Sequence, residues 1–354
     1  MWENEVKFFK GSVALSFFLT LVICLTVTLR TGTGMGDQET ASKQPVTSSN
    51  RPIRDRRDMV LTIGQTQGDL QGKDDKVIQA GIEYLNRVGG GTLHILPGVY
   101  NLRNALYLRP NITLKGSGEE TVLRKANGVV TALTKDSDWF EYGVRIKDVS
   151  GFAIGGGIML RAKKGEGDWQ VCDDVQFRDC KAINNSDLGF HPGSGSQRPV
   201  FRNCVAHGNS QGIFFCWSVS DGLVENCILS ENERYGVSIG HRDTDNIIRR
   251  CRIERNGEVG ILFRNEDNEF RCGHRNQIED CVVRDNGTKQ SGIGIDIQGK
   301  TQDITIRNTR LENTAGENQK VGIRISQEAE RIILQDNTFE NCPVDMQDLR
   351  PKND

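Results

Sequence analysis

The stretches FRDC (177–180), FRNC (201–204), VENC (224–227), IRRC (248–251), IEDC (278–281) and IRNT (306–309) are six versions of one tetrapeptide. Each runs from a large apolar residue through two polar ones to a small side chain, and the fourth positions lie 24, 23, 24, 30 and 28 residues apart. A second column keeps the same period. It pairs a glycine with a following hydrophobic residue at Gly189, Gly212, Gly236, Gly260, Gly292 and Gly322, at steps of 23, 24, 24, 32 and 30. Between the columns lie short alternating runs such as ILSENERYGVSIG (228–240), punctuated by Asn, Asp and Gly, which is strand and turn chemistry. The LxxLxLxxN pattern of leucine-rich repeats is absent. A period near 24 residues built from β-branched strands predicts a parallel β-solenoid, in which equivalent residues of successive coils stack about 4.8 Å apart.

Stacking accounts for most of the cysteines. The chain has ten, with no CxxC pair to suggest a zinc ribbon or a thioredoxin-like centre. Cys180, Cys204, Cys227, Cys251 and Cys281 are expected as an inward ladder of small apolar side chains, because parallel neighbouring strands seldom offer bridging geometry. Asp179, Asn203, Asn226, Asp280 and Asn308, one place earlier, are expected as a ladder of left-handed turn residues.

Composition agrees. Thirty-nine glycines against eight prolines, with 6% aromatics, exclude collagen, a coiled coil and a multi-span membrane protein. A net charge of −2 removes the sequence-independent pull that nucleic-acid binders depend on, so no nucleic-acid partner is expected. The run from Gly11 to Leu29 carries no charge and is about long enough to span a bilayer. Residues 1–30 therefore read as a signal anchor or signal peptide, a membrane partner by this segment. Residues 31–57, poor in aliphatics, read as a flexible linker, and 58–354 as the β-helix domain, outside the cytoplasm. Within DDKVIQAGIEYLNR (74–87), Val77, Ile78, Ile82 and Leu85 recur at helical spacing behind an Asp pair suited to N-capping, predicting an amphipathic helix that covers the open end of the first coil. Residues 133–172 break the repeat and read as an insertion or hairpin, whose Trp139, Phe140, Tyr142 and Trp169 suit an edge or a glycan.

GKDDKVIQAGIEYLNRVGGGTLHILPGVYNL (72–102) followed by NITLKGSGEETVLRK (111–125) resembles the N-terminal cap and first coils of right-handed parallel β-helix proteins of the pectin-lyase-like superfamily. The later Asn and Gly-Ile repeats are similar to its β-helix repeats, so the resemblance covers roughly residues 60 to 345. It implies a single-stranded right-handed parallel β-helix and an extracytoplasmic polysaccharide as substrate or ligand. The superfamily includes polysaccharide lyases, polygalacturonase-type hydrolases, uronate epimerases and non-catalytic adhesins, so the fold leaves the activity open. The Asn-Thr-Asp, Asp-Asp and Arg-Ile-Lys set of the polygalacturonases is not found as a set, and no clear match to the calcium-binding aspartates of pectate lyases is present.

Chemistry-bearing residues collect at equal distances after the glycine column. Five residues on stand Trp217, His241 and Asn265, six on Ser218, Arg242 and Glu266, and seven on Val219, Asp243 and Asp267. GFHPGSGSQRP (189–199) adds His191 one coil earlier. Trp217 suits stacking on a sugar ring, and Arg242 or Arg264 suits a bidentate grip on a carboxylate. Elimination on a uronate needs a base for the C5 proton and a cation on the carboxylate, roles open to His241 and an arginine. Hydrolysis needs two carboxyl groups, for which Asp243, Glu266 and Asp267 are the candidates. The expected catalytic set is therefore His241, Asp243, Arg264, Glu266 and Asp267, and the substrate-binding set Trp217, His191, Arg242 and Asn265. His207 and His94 read as turn and strand residues. No cofactor is expected. Calcium is the cation that Asp243 and Asp245 would suit, but DTDN (243–246) lacks the glycine and closing glutamate of an EF-hand. A non-catalytic glycan-binding or surface-structural β-helix, and a polymer-level uronate epimerase, are the alternatives.

Overall fold

The structure is a computed structural model that describes residues 59–103, 106–125, 142–145, 153–155, 159–161, 168–171, 174–185, 187–192, 195–266, 268–289, 292–314, 316 and 318–351. The expected segments 1–30 and 31–57, and Asp267, lie outside these. Among the described residues no helix is long and apolar enough to cross a membrane.

Each coil gives one short strand to each of three parallel sheets, which contain 12, 10 and 10 strands among the described residues. One coil runs through Leu223–Glu225, Ile228–Ser230 and Tyr235–Ile239, and the next through Ile247–Arg249, Arg252–Glu254 and Val259–Phe263. Register is direct, with Val224 opposite Ile248, Leu229 opposite Ile253 and Val237 opposite Ile261. Because strand side chains alternate, one residue per short strand faces the interior and stacks on its counterpart. The first sheet stacks Phe177, Phe201, Val224, Ile248, Ile278 and Ile306, all at most 1% exposed. The rings of Phe177 and Phe201 lie 5.2 Å apart and 6° from parallel.

The corner between the first two sheets is made by a single left-handed residue. Asp179, Asn203, Asn226, Arg250, Asp280 and Asn308 have φ between 48° and 56°. Asn and Asp reach this region most readily among residues with a side chain, which is why the column is rich in them. The next residue turns inward, so Cys180, Cys204, Cys227, Cys251 and Cys281 form the expected ladder, free and at most 2% exposed. Burial pushes the Cys204 thiol well above its usual range.

A second ladder lies at the corner between the second and third sheets. The Oδ1 atoms of Asn209, Asn232, Asn256 and Asn286 each accept the backbone N–H of the asparagine one coil earlier, at 2.9, 3.1, 3.1 and 3.1 Å, starting from Asn185. Their amides face the glycine column. A Cβ on Gly236 would stand 2.7 Å from the Gly260 carbonyl oxygen and 2.9 Å from Asn256 Nδ2, so close approach of coils demands glycine here. The stacked column runs Gly212, Gly236, Gly260, Gly294 and Gly322, since Ile295 pairs with Ile261 and Ile323. Gly292, expected in this column, instead sits in the preceding turn with φ +58. The coil carries extra turn residues there, and SGIGIDI (291–297) offers the same dipeptide twice.

Within residues 133–172 the described strands Tyr142–Arg145, Ala153–Gly155, Met159–Arg161 and Asp168–Val171 pair in parallel with neighbours in the three sheets, and Trp139 and Phe140 lie outside the described residues. At the N-terminal end, helix Asp75–Arg87 is capped by Asp74, whose carboxylate accepts the Lys76 N–H. It buries Ile78, Ile82 and Leu85 on the first coil, as the apolar spacing predicts.

Candidate functional site

The third sheet returns to the first through a turn whose backbone is unusual on two adjacent coils. Trp217 and Ser218 have φ of 64° and 67°, and His241 and Arg242 have 45° and 66°. Two successive left-handed residues cost free energy unless they are glycine, most of all for bulky side chains. Here they throw Trp217 and His241 outward side by side. The two rings stack at 5.5 Å and 7° from parallel, and Trp217 remains 56% exposed. With Arg242, Asn268, Phe270 and Arg271 they line a pocket of about 400 Å³. Arg242 has an exposed side chain with no carboxylate partner among the described residues.

Beneath the pocket, Glu266 holds the histidine. Its Oε1 accepts the backbone N–H of His241 at 3.0 Å and lies 3.1 Å from His241 Nδ1. Arg264 Nη2 is also 3.5 Å from Nδ1, a contact that would need Nδ1 to accept. The carboxylate is nearer, at ion-pair distance, and favours a proton on Nδ1, whereas the hydrogen bond the ring makes is with Arg264 Nη2, which also donates to the Phe215 carbonyl at 3.0 Å. Nε2 makes no hydrogen bond to protein among the described residues. Gly240 makes room for this arrangement, because a Cβ there would stand 2.3 Å from Glu266 Oε1.

Arg264 and Asp243, both expected in the catalytic set, lie deeper than the pocket-lining residues. Asp243 is fully buried. Its Oδ1 accepts Val219 N–H at 3.0 Å and its Oδ2 accepts Gly240 N–H at 2.9 Å, so it ties one turn to the turn below. Burial pushes its carboxyl up to about 6 against the opposing pull of Arg264 and these N–H groups. Arg264 is 15% exposed. It donates to Ser238 Oγ at 2.9 Å, contacts Asp243 at 3.3 Å and Glu266 at 3.4 Å, and lies 4.5 Å over the Phe214 ring. Both are scaffold of the turn. The reason was visible in the offset itself, since Asp243 stands where Val219 stands one coil earlier, and Val219 faces inward.

Of the remaining expected residues, His191 lies on the strand Leu188–Pro192 with its ring 5.5 Å from Phe214, on the sheet face beside the turn. Asn265 is exposed against Gly299 of the following coil and does not line the pocket. Thus Trp217, His241, Arg242 and Glu266 are brought together. Asn268, Phe270 and Arg271 were not anticipated. They belong to the extra residues that stretch the step from Cys251 to Cys281 to 30, and that lengthening is the signal for a wall beside the site. Among the described residues no three His, Cys, Asp or Glu side chains are grouped to hold a metal ion.

Comparison with known proteins defines the class. The family model for the right handed beta helix region matches residues 134–293, and with the three parallel sheets it makes this chain a right-handed parallel β-helix repeat protein. A search of curated protein sequences returned no match. Among solved structures, the chain is similar to an alginate lyase from Paenibacillus sp. str. FPU-7, at 13% identity over 79% of this chain and 97% of that one, with a TM-score of 0.56. It is similar also to PfbA, a surface adhesin of Streptococcus pneumoniae, at 12% identity over 77% and 89%, with a TM-score of 0.54. The A-module of the Azotobacter vinelandii mannuronan C-5 epimerase AlgE4 aligns at 17% identity over 82% and 98%, with a TM-score of 0.49. For the alginate lyase and the adhesin, at such identities, the likeness is one of fold.

Proposed function

We propose that the chain binds an acidic polysaccharide in the Trp217 pocket and cleaves it by β-elimination, with His241 as the base. The observation that carries this reading is the Glu266–His241 pair, which favours a proton on Nδ1 and so leaves Nε2 to accept, beside an exposed indole and a guanidinium with no carboxylate partner among the described residues. Trp217 would stack on the apolar face of a sugar, and Arg242 would neutralise the uronate carboxylate, acidifying the proton at C5. Nε2 takes that proton, the C–H electron pair becomes the C4–C5 double bond, and the C4–O4 bond breaks. The departing O4 leaves with the glycosidic electron pair and is protonated by water or by the imidazolium. Hydrolysis fits less well, because Asp243 is buried with both oxygens engaged and Glu266 is occupied by His241 and Arg264. An extracytoplasmic location, suggested by the uncharged run Gly11–Leu29, would bring the domain to such a polymer.

The test incubates the protein with alginate, polygalacturonate and neutral glycans, following the ultraviolet band of unsaturated uronate together with binding. The expected result is double-bond formation on an acidic polymer, reduced about 10²- to 10⁴-fold by His241→Ala with binding retained, and binding weakened about tenfold by Trp217→Ala. Double bonds that form undiminished in His241→Ala would refute His241 as the base. Binding without any double bond, lost in Trp217→Ala but kept in His241→Ala, would make the pocket a glycan-binding site without turnover.

A further inference from the structure

The wall that carries Phe270 and Arg271 is a 3₁₀ turn, Glu269–Arg271. His274 ties it to the next coil. The ring Nε2 lies 2.7 Å from the Glu269 carbonyl oxygen, and Nδ1 lies 3.0 Å from the backbone N–H of Gln302 on the next coil. A carbonyl can only accept and an N–H can only donate, so one tautomer satisfies both contacts, the neutral ring with its proton on Nε2. The Glu269 carbonyl is shared with Cys272 N–H at 3.1 Å, which closes the turn. Gln302 Nε2 donates to Glu269 Oε1 at 2.9 Å, making a second strut between the same two segments. The wall also meets the site turn directly, since Arg242 N–H donates to the Arg271 carbonyl at 2.8 Å.

We propose that His274 is a positioning residue for the pocket: as the neutral Nε2–H tautomer it staples the Asn268–Arg271 wall against Gln302, and a second proton releases that wall. Protonation would set Nδ1–H against Gln302 N–H, donor to donor, and one of the two must move. The charged groups around the ring are Glu269, Arg271 and Arg275 from its own segment, Asp245 paired with Arg275 from the coil before, and Asp303 paired with Arg331 from the coils after. Both pairs leave the ring's hydrogen bonds to the backbone, and Asp303, held low chiefly by Arg331, also feels the charge of His274 and Arg275. The consequence for function rests on the glycan reading above: Phe270, 83% exposed, is one side of the pocket, so a ligand gripped between it and Trp217 should bind more weakly at acid pH.

The test begins without ligand, so that it stands apart from the glycan reading. Hydrogen exchange of the full chain, read at the Cys272 and Gln302 amides and corrected for intrinsic rates, is compared at pH 8 and pH 5. Protection is expected to fall at least roughly tenfold at pH 5 in the wild type, the scale of one lost hydrogen bond. His274→Gln keeps a donor for the Glu269 carbonyl and cannot titrate, so its protection should be the same at both pH values. Equal protection of the wild-type amides at both pH values would overturn the proposal, as would the same loss in His274→Gln. A Trp217→Ala control should leave the exchange unchanged. If the wall responds as expected while no polysaccharide binds, the positioning role stands and the glycan reading fails.

Discussion

Replacing Asn232 by alanine isolates what the buried asparagine ladder contributes. Asn232 is 1% exposed and makes four side-chain hydrogen bonds. Oδ1 accepts from Asn209 N and Asn209 Nδ2, both at 3.1 Å, while Nδ2 donates to the Ala206 carbonyl at 3.1 Å and to Asn256 Oδ1 at 2.9 Å. After truncation, Asn209 Nδ2 keeps its bond to the Ala182 carbonyl, and Asn256 Oδ1 keeps the Asn232 N–H. The Asn209 backbone N–H keeps nothing. A buried donor without a partner costs about 1–3 kcal/mol, and the remaining lost bonds and the gap add a comparable amount. The expected loss is therefore about 3–5 kcal/mol, a large part of the roughly 5–15 kcal/mol that holds an ordinary domain together. Because repeat arrays can unfold piecewise, native-state hydrogen exchange across residues 205–240 is a better reading than one melting midpoint. Exchange should accelerate there far more than in the helix Asp75–Arg87. The exposed neighbour Glu231→Ala should stay within about 0.5 kcal/mol of wild type. A loss below about 1 kcal/mol for Asn232→Ala would mean that water or a relaxed backbone replaces the ladder, and the accounting above would be refuted.

Two further outcomes follow from the same packing. Asp243 has its folded-state value raised from 3.8 to about 6, so it contributes stability below pH 4 that is lost as pH rises through 6, about 3 kcal/mol for the buried group. Asn at 243 should flatten the pH dependence of urea unfolding between pH 4 and 6.5, and an unchanged slope would show that another group is responsible. Gly236→Ala should cost about 1–3 kcal/mol or more from overpacking against Ile253, Gly260 and Asn256. Gly118→Ala, whose Cβ meets nothing within 4 Å, should cost only the left-handed penalty of about 1–2 kcal/mol, and a Gly236→Ala loss below about 1 kcal/mol would discount the close approach of coils.

The solenoid was legible because every coil repeats one inward and outward alternation, and six copies of it survive comparison by eye. The left-handed column from Asp179 to Asn308 was legible for the same reason, since a corner admits few residue types. What failed was local. Gly292 and Gly294 head identical dipeptides, and only pairing between coils tells which of them stacks on Gly260. Counting onward from the glycine also assumed an extended chain, whereas two left-handed residues at His241 and Arg242 reverse its course and send Asp243 inside. The described strands within 133–172 lack the tetrapeptide signature, so the repeat alone does not announce that they join the three sheets.

These departures explain why the pocket lies where it does. A regular coil spends its turn residues on stacking and presents a flat polar edge. Here two turns adopt a costly conformation that exposes Trp217 and His241, and the cost must be met by contacts that a regular coil lacks. Asp243 supplies two of them by fastening Val219 N–H and Gly240 N–H with a single carboxylate. Arg264 supplies the rest by joining Phe215, Ser238, Asp243 and Glu266 with one guanidinium. The charged residues that drew the eye in the sequence thus divide by depth. Those whose hydrogen-bonding capacity is consumed within the turn hold it, and His241 and Arg242, which line the pocket, face outward. The division holds only if Arg264 is irreplaceable for shape rather than charge. Lysine there keeps the charge, cannot span four partners, and should loosen the Trp217–His241 stack as much as alanine does.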